Sequence, residues 1–250
     1  MRKAIFMIYL VCLLVFVPAA RACDVNLFSI IAGTSKSDAF SESITGLAQA
    51  IRNLGENYTD EKKAEKYLFE LMSRWVDFSS AFNQFPPEWG KLDPAWGSKF
   101  SDLGRTIGEI RRQLDVDPVR AHDEMLRFSR RLSFLYENMP KTDRARVLLD
   151  FTRSFDGLWS ALFDQNHDLL KENAQLLINS CNALQALVDE NEKFLAANMA
   201  AWAEQIRVLS TQINVFKAAT LRMTLTAAEA EFVNLNEKIS ASMPHSDLKK

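Results

Sequence analysis

Residues that could bind a haem or a metal ion are few and scattered in this chain. Three histidines occur among 250 residues, and one of them, His245, falls in a polar tail. His122 and Met125 are three residues apart, so both would lie on one face of a helix. His167 falls at a predicted turn. These are the candidate haem or metal ligands, but neither His122 nor His167 has the upstream glutamate of metal-binding bundles. We therefore expect no cofactor and no metal site.

The sequence also lacks residues at the spacing of a known catalytic motif. No serine, cysteine and histidine stand at the spacing of a known hydrolase motif. Two carboxylate pairs, Asp115 with Asp117 and Asp123 with Glu124, fall at predicted helix ends and solvent-facing turns. Such positions collect acids in helical proteins generally. We therefore expect a protein that is not an enzyme.

The cysteines leave three interpretations open. Cys12 lies in an apolar N-terminal run, Cys23 follows that run, and Cys181 lies far along the chain. Lipidation of Cys23 would tether the protein to a membrane. A disulfide between Cys23 and Cys181 is the second interpretation, because two cysteines left in an oxidising compartment often pair. In the third, both stay free thiols and Cys181 is a small buried side chain.

Residues 1–22 have the layout of a secretory signal peptide. Arg2 and Lys3 are followed by the apolar run 4–17, and then by Ala20-Arg21-Ala22 with small residues at its first and third positions. The apolar run is short for a membrane helix, which needs about 20 residues, although an uncleaved anchor stays open. We expect an exported protein, periplasmic or secreted.

Composition narrows the function classes further. The chain is 48% hydrophobic and 25% charged, with a formal net charge of −2. These are ordinary values for a soluble globular protein. The small net charge creates no field that would attract nucleic acid, so we expect no nucleic-acid partner.

Apolar residues recur at helical spacing along most of the chain. This pattern predicts an all-α protein: an up-and-down bundle of about six helices with a long coiled-coil-like C-terminal part. The predicted organisation, after the signal, is an extended segment over 23–34, four helices over 35–140, a long-helix region over 141–242 packed on or beside them, and a polar tail over 243–250.

Two features indicate partner binding. Ile206, Leu209, Ile213 and Phe216 alternate spacings of three and four, which is typical of a coiled-coil seam, although a bundle helix with two neighbours has the same pattern. Trp89 falls in a proline-bounded loop, where an aromatic ring is suited to a partner.

In outline, residues 60–138 resemble the exported cytochrome bundles of the c-prime and b562 types. The resemblance consists of a loop with prolines and Trp89, a Trp- and Phe-striped helix, and a helix that starts after Asp117-Pro118. The Cys-x-x-Cys-His haem-attachment motif of the c-prime group is absent, so no ligand assignment follows from it.

The sequence thus predicts an exported cell-envelope helical bundle with a non-catalytic binding or scaffolding role. Its partner would be another protein or a second copy, bound through helical faces. The alternative is a bundle that binds a haem, a metal or a small apolar ligand in its interior.

Overall fold

All regular structure in the described part of the chain is helical. A computed structural model describes residues 25–32, 38–187, 197, 200, 202–204, 206–208, 213 and 218–242. These contain no strand, which confirms the all-α expectation. They form eight α-helices and two single 3-10 turns, Gly90–Leu92 and Phe134–Tyr136. The α-helices are α1 (Val25–Ala32), α2 (Ala39–Asn57), α3 (Glu61–Phe82), α4 (Trp96–Leu114), α5 (Pro118–Ser133), α6 (Asp143–Phe163), α7 (His167–Ala186) and α8 (Ala218–Ser242).

The extended segment predicted over 23–34 is wrong where the structure describes it, because α1 occupies Val25–Ala32. The four large apolar side chains of α1 are only 2–3% exposed, and they belong to the central core. The apolar run of α1 spans only two turns, and a run this short cannot be assigned to a helix or a strand from its period alone. Cys23 lies outside the described residues.

Side chains fix where the helices begin. Asp38, Asp60, Asp117, Thr142 and Asn166 each precede a helix and accept a hydrogen bond from the backbone N–H three residues later. Each bond satisfies one of the donors that a helix N-terminus leaves unpaired. The turn predicted at residues 164–167 is confirmed, and within it Gln165 has a φ of 52°.

Consecutive helices pack as hairpins. The pairs α2–α3, α4–α5 and α6–α7 pack most closely, whereas α3 contacts α4 more loosely. In the α6–α7 pair, a Cβ on Gly157 would lie 2.0 Å from Asn173 Oδ1, so glycine permits the close approach. α1 and α8 pack on each other, and both contact α6.

α3 and α4 run antiparallel, with a loop between them. The indole N–H of Trp96 donates to the carbonyl oxygen of Phe82 at 2.9 Å, which fixes the loop end of the pair. Further from the loop, a Cβ on Gly104 would lie 3.5 Å from the Trp75 indole. Earlier residues of α3 therefore face later residues of α4.

The predicted long-helix region, 141–242, contains α6, α7 and α8 among its described residues. α7 ends at Ala186 and α8 begins at Ala218. The polar tail predicted over 243–250 lies outside the described residues. The coiled-coil character of this region stays a prediction.

Candidate functional site

The three candidate haem or metal ligands have separate surroundings. The His122 ring packs on Tyr58, with 4.9 Å between ring centroids, and is half-buried. Met125 is fully buried in the core, and His167 is exposed at the first residue of α7. Among the residues that the structure describes, no three His, Cys, Asp or Glu side chains are grouped so as to hold a metal ion.

Cys181 is a buried free thiol on α7 with 1% exposure. Burial raises the pKa of the Cys181 thiol to about 12, and the nearby Arg207 opposes this only in part. The thiolate is the reactive form of cysteine, so Cys181 is a poor nucleophile at neutral pH. Lipidation of Cys23 and its pairing with Cys181 both stay predictions, because Cys23 is not described.

Trp89 is part of an aromatic cluster that joins the loop to the core. Its ring meets Phe40 edge-on at 5.1 Å, stacks on Tyr136 at 5.8 Å and contacts Trp96 at 5.7 Å. The geometry is typical of stabilising aromatic pairs. The Trp89 ring, predicted as a partner residue, is half-buried and packs within the chain.

Two of the four predicted seam residues are in the core. Ile206 and Ile213 are 0% and 1% exposed. Leu209 and Phe216 lie outside the described residues. A partner therefore has no access to Ile206 or Ile213 in this structure, and a charge placed at either position would disrupt the core itself.

A network of buried charges connects α8 to α5 and α6. Arg130 pairs with Glu229 at 2.6 Å and, more weakly, with Asp156 at 3.4 Å. The other Glu229 oxygen accepts from the Trp159 indole at 2.9 Å, and Asp156 also pairs with Arg131 at 3.2 Å. Such a network favours one position of α8 over others, because any shift would leave a charge buried without its partner.

Two turns earlier on α5, Asp123 binds Arg222 of α8, and the same guanidinium donates to the Val119 carbonyl oxygen at 3.3 Å. Desolvation raises the pKa of the Asp123 carboxyl to about 6, although Arg222 and Arg130 act in the opposite direction. Both pairs of charges, Arg130 with Glu229 and Arg222 with Asp123, are satisfied within the chain.

Sequence analysis missed this network. Arg130 lies in a segment rich in both arginines and acids, which is typical of a solvated helical surface, yet it is 5% exposed. One signal was present: Glu229 stands four residues after Leu225 and three before Phe232, within an apolar stripe. An acid on the buried face of a helix requires a basic partner from elsewhere in the chain.

An open apolar groove lies between α3 and α4. α3 buries only Ala64, Leu71 and Phe78, which are seven residues apart and form one narrow stripe. Beside that stripe, a groove of about 230 Å³ is lined by Met72, Trp75, Val76, Gly104, Ile107, Gly108 and Arg111.

Large apolar side chains are exposed along the same helix. Phe69 is 76% exposed and Val76 is 58% exposed. They are seven residues apart, with Met72 between them, so the three share one face of α3. We call the groove and Phe69 together the α3–α4 face. Contiguous exposed apolar surface of this kind marks interaction sites in soluble proteins.

Sequence analysis placed no site on the α3–α4 face. Phe69 and Val76 lie off the apolar stripe of this helix, which consists of Leu68, Leu71, Trp75, Phe78 and Phe82, and this was the available signal. Gly104 and Gly108 were the second signal, since glycine inside a helix costs about 1 kcal/mol relative to alanine unless packing requires it.

No protein-family model, no curated protein and no solved structure matches this chain. Within the described residues, no helix has both the length and the apolar character needed to cross a membrane.

Proposed function

We propose that this protein is an exported, non-catalytic binding protein of the cell envelope, and that it binds its partner through the α3–α4 face. The observation that carries the proposal is the exposure of Phe69 and Val76 beside an apolar groove. Transfer of apolar surface from water to an interface is favourable by roughly 25 cal/mol per Å². A folded protein that leaves two such side chains in water gains that free energy when a partner covers them.

The order of residues 1–22 supports the export part of the proposal, because it matches a cleaved secretory signal. Cleavage after Ala22 would leave Cys23 as the first residue, where lipidation would tether the bundle to a membrane. A coiled-coil contact through the C-terminal part of 141–242 remains the second proposed route to a partner or to self-association.

Hydroxyl-radical footprinting tests whether the face is covered in the native host. Oxidation of Phe69 and Met72 would be compared between an envelope fraction and the purified protein. We expect both rates to fall several-fold in the envelope, because a bound partner excludes water from the face. Phe163 and Met223 are matched controls, 44% and 57% exposed on α6 and α8, and their rates should stay unchanged. Equal oxidation of Phe69 in the two samples would overturn the proposal.

A further inference from the structure

The floor of the groove is open at Gly108. A Cβ built there would meet no atom within 4 Å, whereas a Cβ on Gly104, one turn earlier on α4, would lie 3.5 Å from the Trp75 indole. Glycine at such positions allows the backbone of another element to approach closely. The floor is therefore open to an element of regular structure and not only to a single inserted side chain.

The walls of the groove repeat at helical intervals. Met72 and Val76 are four residues apart on α3, and Ile107 and Arg111 have the same spacing on α4. Phe69 extends the α3 wall, so that Phe69 to Val76 spans about 10 Å at 1.5 Å per residue. Two turns of a docked helix, with apolar side chains at i, i+3 or i+4, and i+7, have this length.

Hydrogen bonding distinguishes a helix from an extended peptide as the occupant. Both walls are α-helices, so their backbone groups are already paired within each helix. An extended peptide buried here would lose water from its own N–H and C=O groups and find no backbone partner. A helix satisfies those groups internally and brings only side chains to the groove.

Arg111 supplies the charge of the site. It lines the groove and makes no ion pair with any residue that the structure describes. Its neighbours Arg105 and Arg112 are paired with Asp102 and Glu109, each at 2.6 Å. An acidic side chain on the occupant would complement Arg111.

The lining also argues against a second copy of this chain. A two-fold interface needs a self-complementary surface. The groove contains one basic residue and no acidic residue, so a copy docked face to face would bring no counter-charge from the lining.

Resting on the proposed function, we infer that the α3–α4 face binds an amphipathic α-helix of a partner protein, with an acidic side chain of that helix beside Arg111. Leucine-type side chains of the helix pack on Met72 and Val76, and its backbone lies over Gly108.

The test uses a synthetic amphipathic helical peptide of about four turns, with leucines at i, i+4, i+7 and i+11 and a glutamate one turn beyond. A matched peptide carries lysine in place of the glutamate. Binding to the purified protein is followed by fluorescence anisotropy of the labelled peptide.

Gly108→Leu fills the floor of the groove, and Gly97→Leu is its matched control. A Cβ at Gly97 also meets no atom within 4 Å, but Gly97 does not line the groove. Both changes raise helix propensity, so both variants should fold. We expect Gly108→Leu to weaken binding of the glutamate peptide about tenfold or more, and Gly97→Leu to leave it unchanged. Equal effects of the two substitutions would overturn the inference.

Charge reversal tests the acidic part of the inference. Arg111→Glu should weaken binding of the glutamate peptide by up to about fivefold, which is the range measured for exposed ion pairs. The same variant should bind the lysine peptide more tightly than the glutamate peptide. The inference would be wrong if the purified protein bound neither peptide and sedimented as a dimer that Gly108→Leu abolished. A second copy of the chain would then be the occupant. Binding of lipid vesicles in place of either peptide would equally contradict a helix.

The footprinting result separates the two proposals. If Phe69 is protected in the envelope but neither peptide binds the purified protein, the partner is not a helix of this kind and the proposed function stands. If Phe69 is unprotected as well, both are wrong.

Discussion

Asp123 is a carboxylate with a 7% exposed side chain, and its surroundings determine when it is charged. Arg222 and Glu229 face it from α8, and Arg130 lies on its own helix. Burial disfavours the ionised form of a carboxyl, and here the two arginines compensate for that effect only in part. The outcome is a pKa of about 6, compared with an ordinary value of 3.8.

The pH dependence of stability follows from this raised pKa. The folded protein takes up a proton near pH 6, whereas the unfolded chain takes it up only near pH 4. Asp123 therefore adds about 1 kcal/mol to the free energy of unfolding between pH 7 and pH 5 as the pH falls. Urea unfolding of the wild type and of Asp123→Asn at several pH values would measure this contribution to the free energy of unfolding.

The wild type should gain stability relative to Asp123→Asn over that pH interval. Glu109, whose pKa is lowered by Arg112 and Gln113, acts in the opposite direction but only below its ordinary pKa of 4.5. Measurements above pH 5 avoid that contribution. Parallel stability curves for the two proteins would contradict the assignment of the raised pKa to Asp123.

The sequence could not reveal this behaviour, because Asp123 and Arg222 are 99 positions apart. Acids beside a predicted helix start are surface residues in most proteins, and only tertiary contacts identify the exception. Local chemistry was easier to predict: Thr142, predicted to cap a helix, accepts from the Ala145 N–H at 3.2 Å.

At the scale of elements, α8 depends on buried charges as well as on apolar packing. Glu229 bonds to Arg130 of α5 and to Trp159 of α6, so one side chain joins three helices. Removal of one partner of a buried ion pair typically costs 3–5 kcal/mol, whereas apolar replacement of both partners is often neutral or stabilising.

A double-mutant cycle on this pair tests how α8 is held. We expect Arg130→Met and Glu229→Leu each to be strongly destabilising, and the double variant to be far more stable than the sum of the two losses predicts. The reason is that each single variant leaves a charge buried without its main partner. Urea unfolding of the four proteins gives the coupling free energy.

Arg207 and Glu204 provide the matched control. They pair at 3.2 Å with side chains that are 51% and 65% exposed. Exposed pairs contribute about 0–1 kcal/mol, so Arg207→Met and Glu204→Leu should be mild and nearly additive. Equal coupling in the two cycles would show that the buried network has no special role.

Amphipathic helices were predictable and buried ones were not. α2 to α7 each present an apolar stripe to the core, and a capping side chain or a proline marks many of their ends. α1 was missed because its apolar run, two turns long, is too short for the period to distinguish a helix from a strand. The loose contact between α3 and α4 could not be predicted either, because the distance between two helix axes depends on how their side chains pack in the folded protein.

At the scale of the whole molecule, the terminal helices α1 and α8 pack differently from α3. α1 and α8 are drawn into the core around α6, whereas α3 stays at the edge with most of its circumference in water. The α3–α4 face is consequently exposed to solvent in the folded bundle.

Site-specific photo-crosslinking in the native host tests the central claim, that an exported bundle binds a partner through this face. A photoreactive phenylalanine would replace Phe69 in one strain and Leu169, which is 42% exposed on α7, in another. We predict a covalent adduct at position 69 in the envelope fraction, with the chain beginning at Cys23 by mass, and no adduct at position 169. Equal adducts at both positions, or a cytosolic product that retains Met1, would contradict the account.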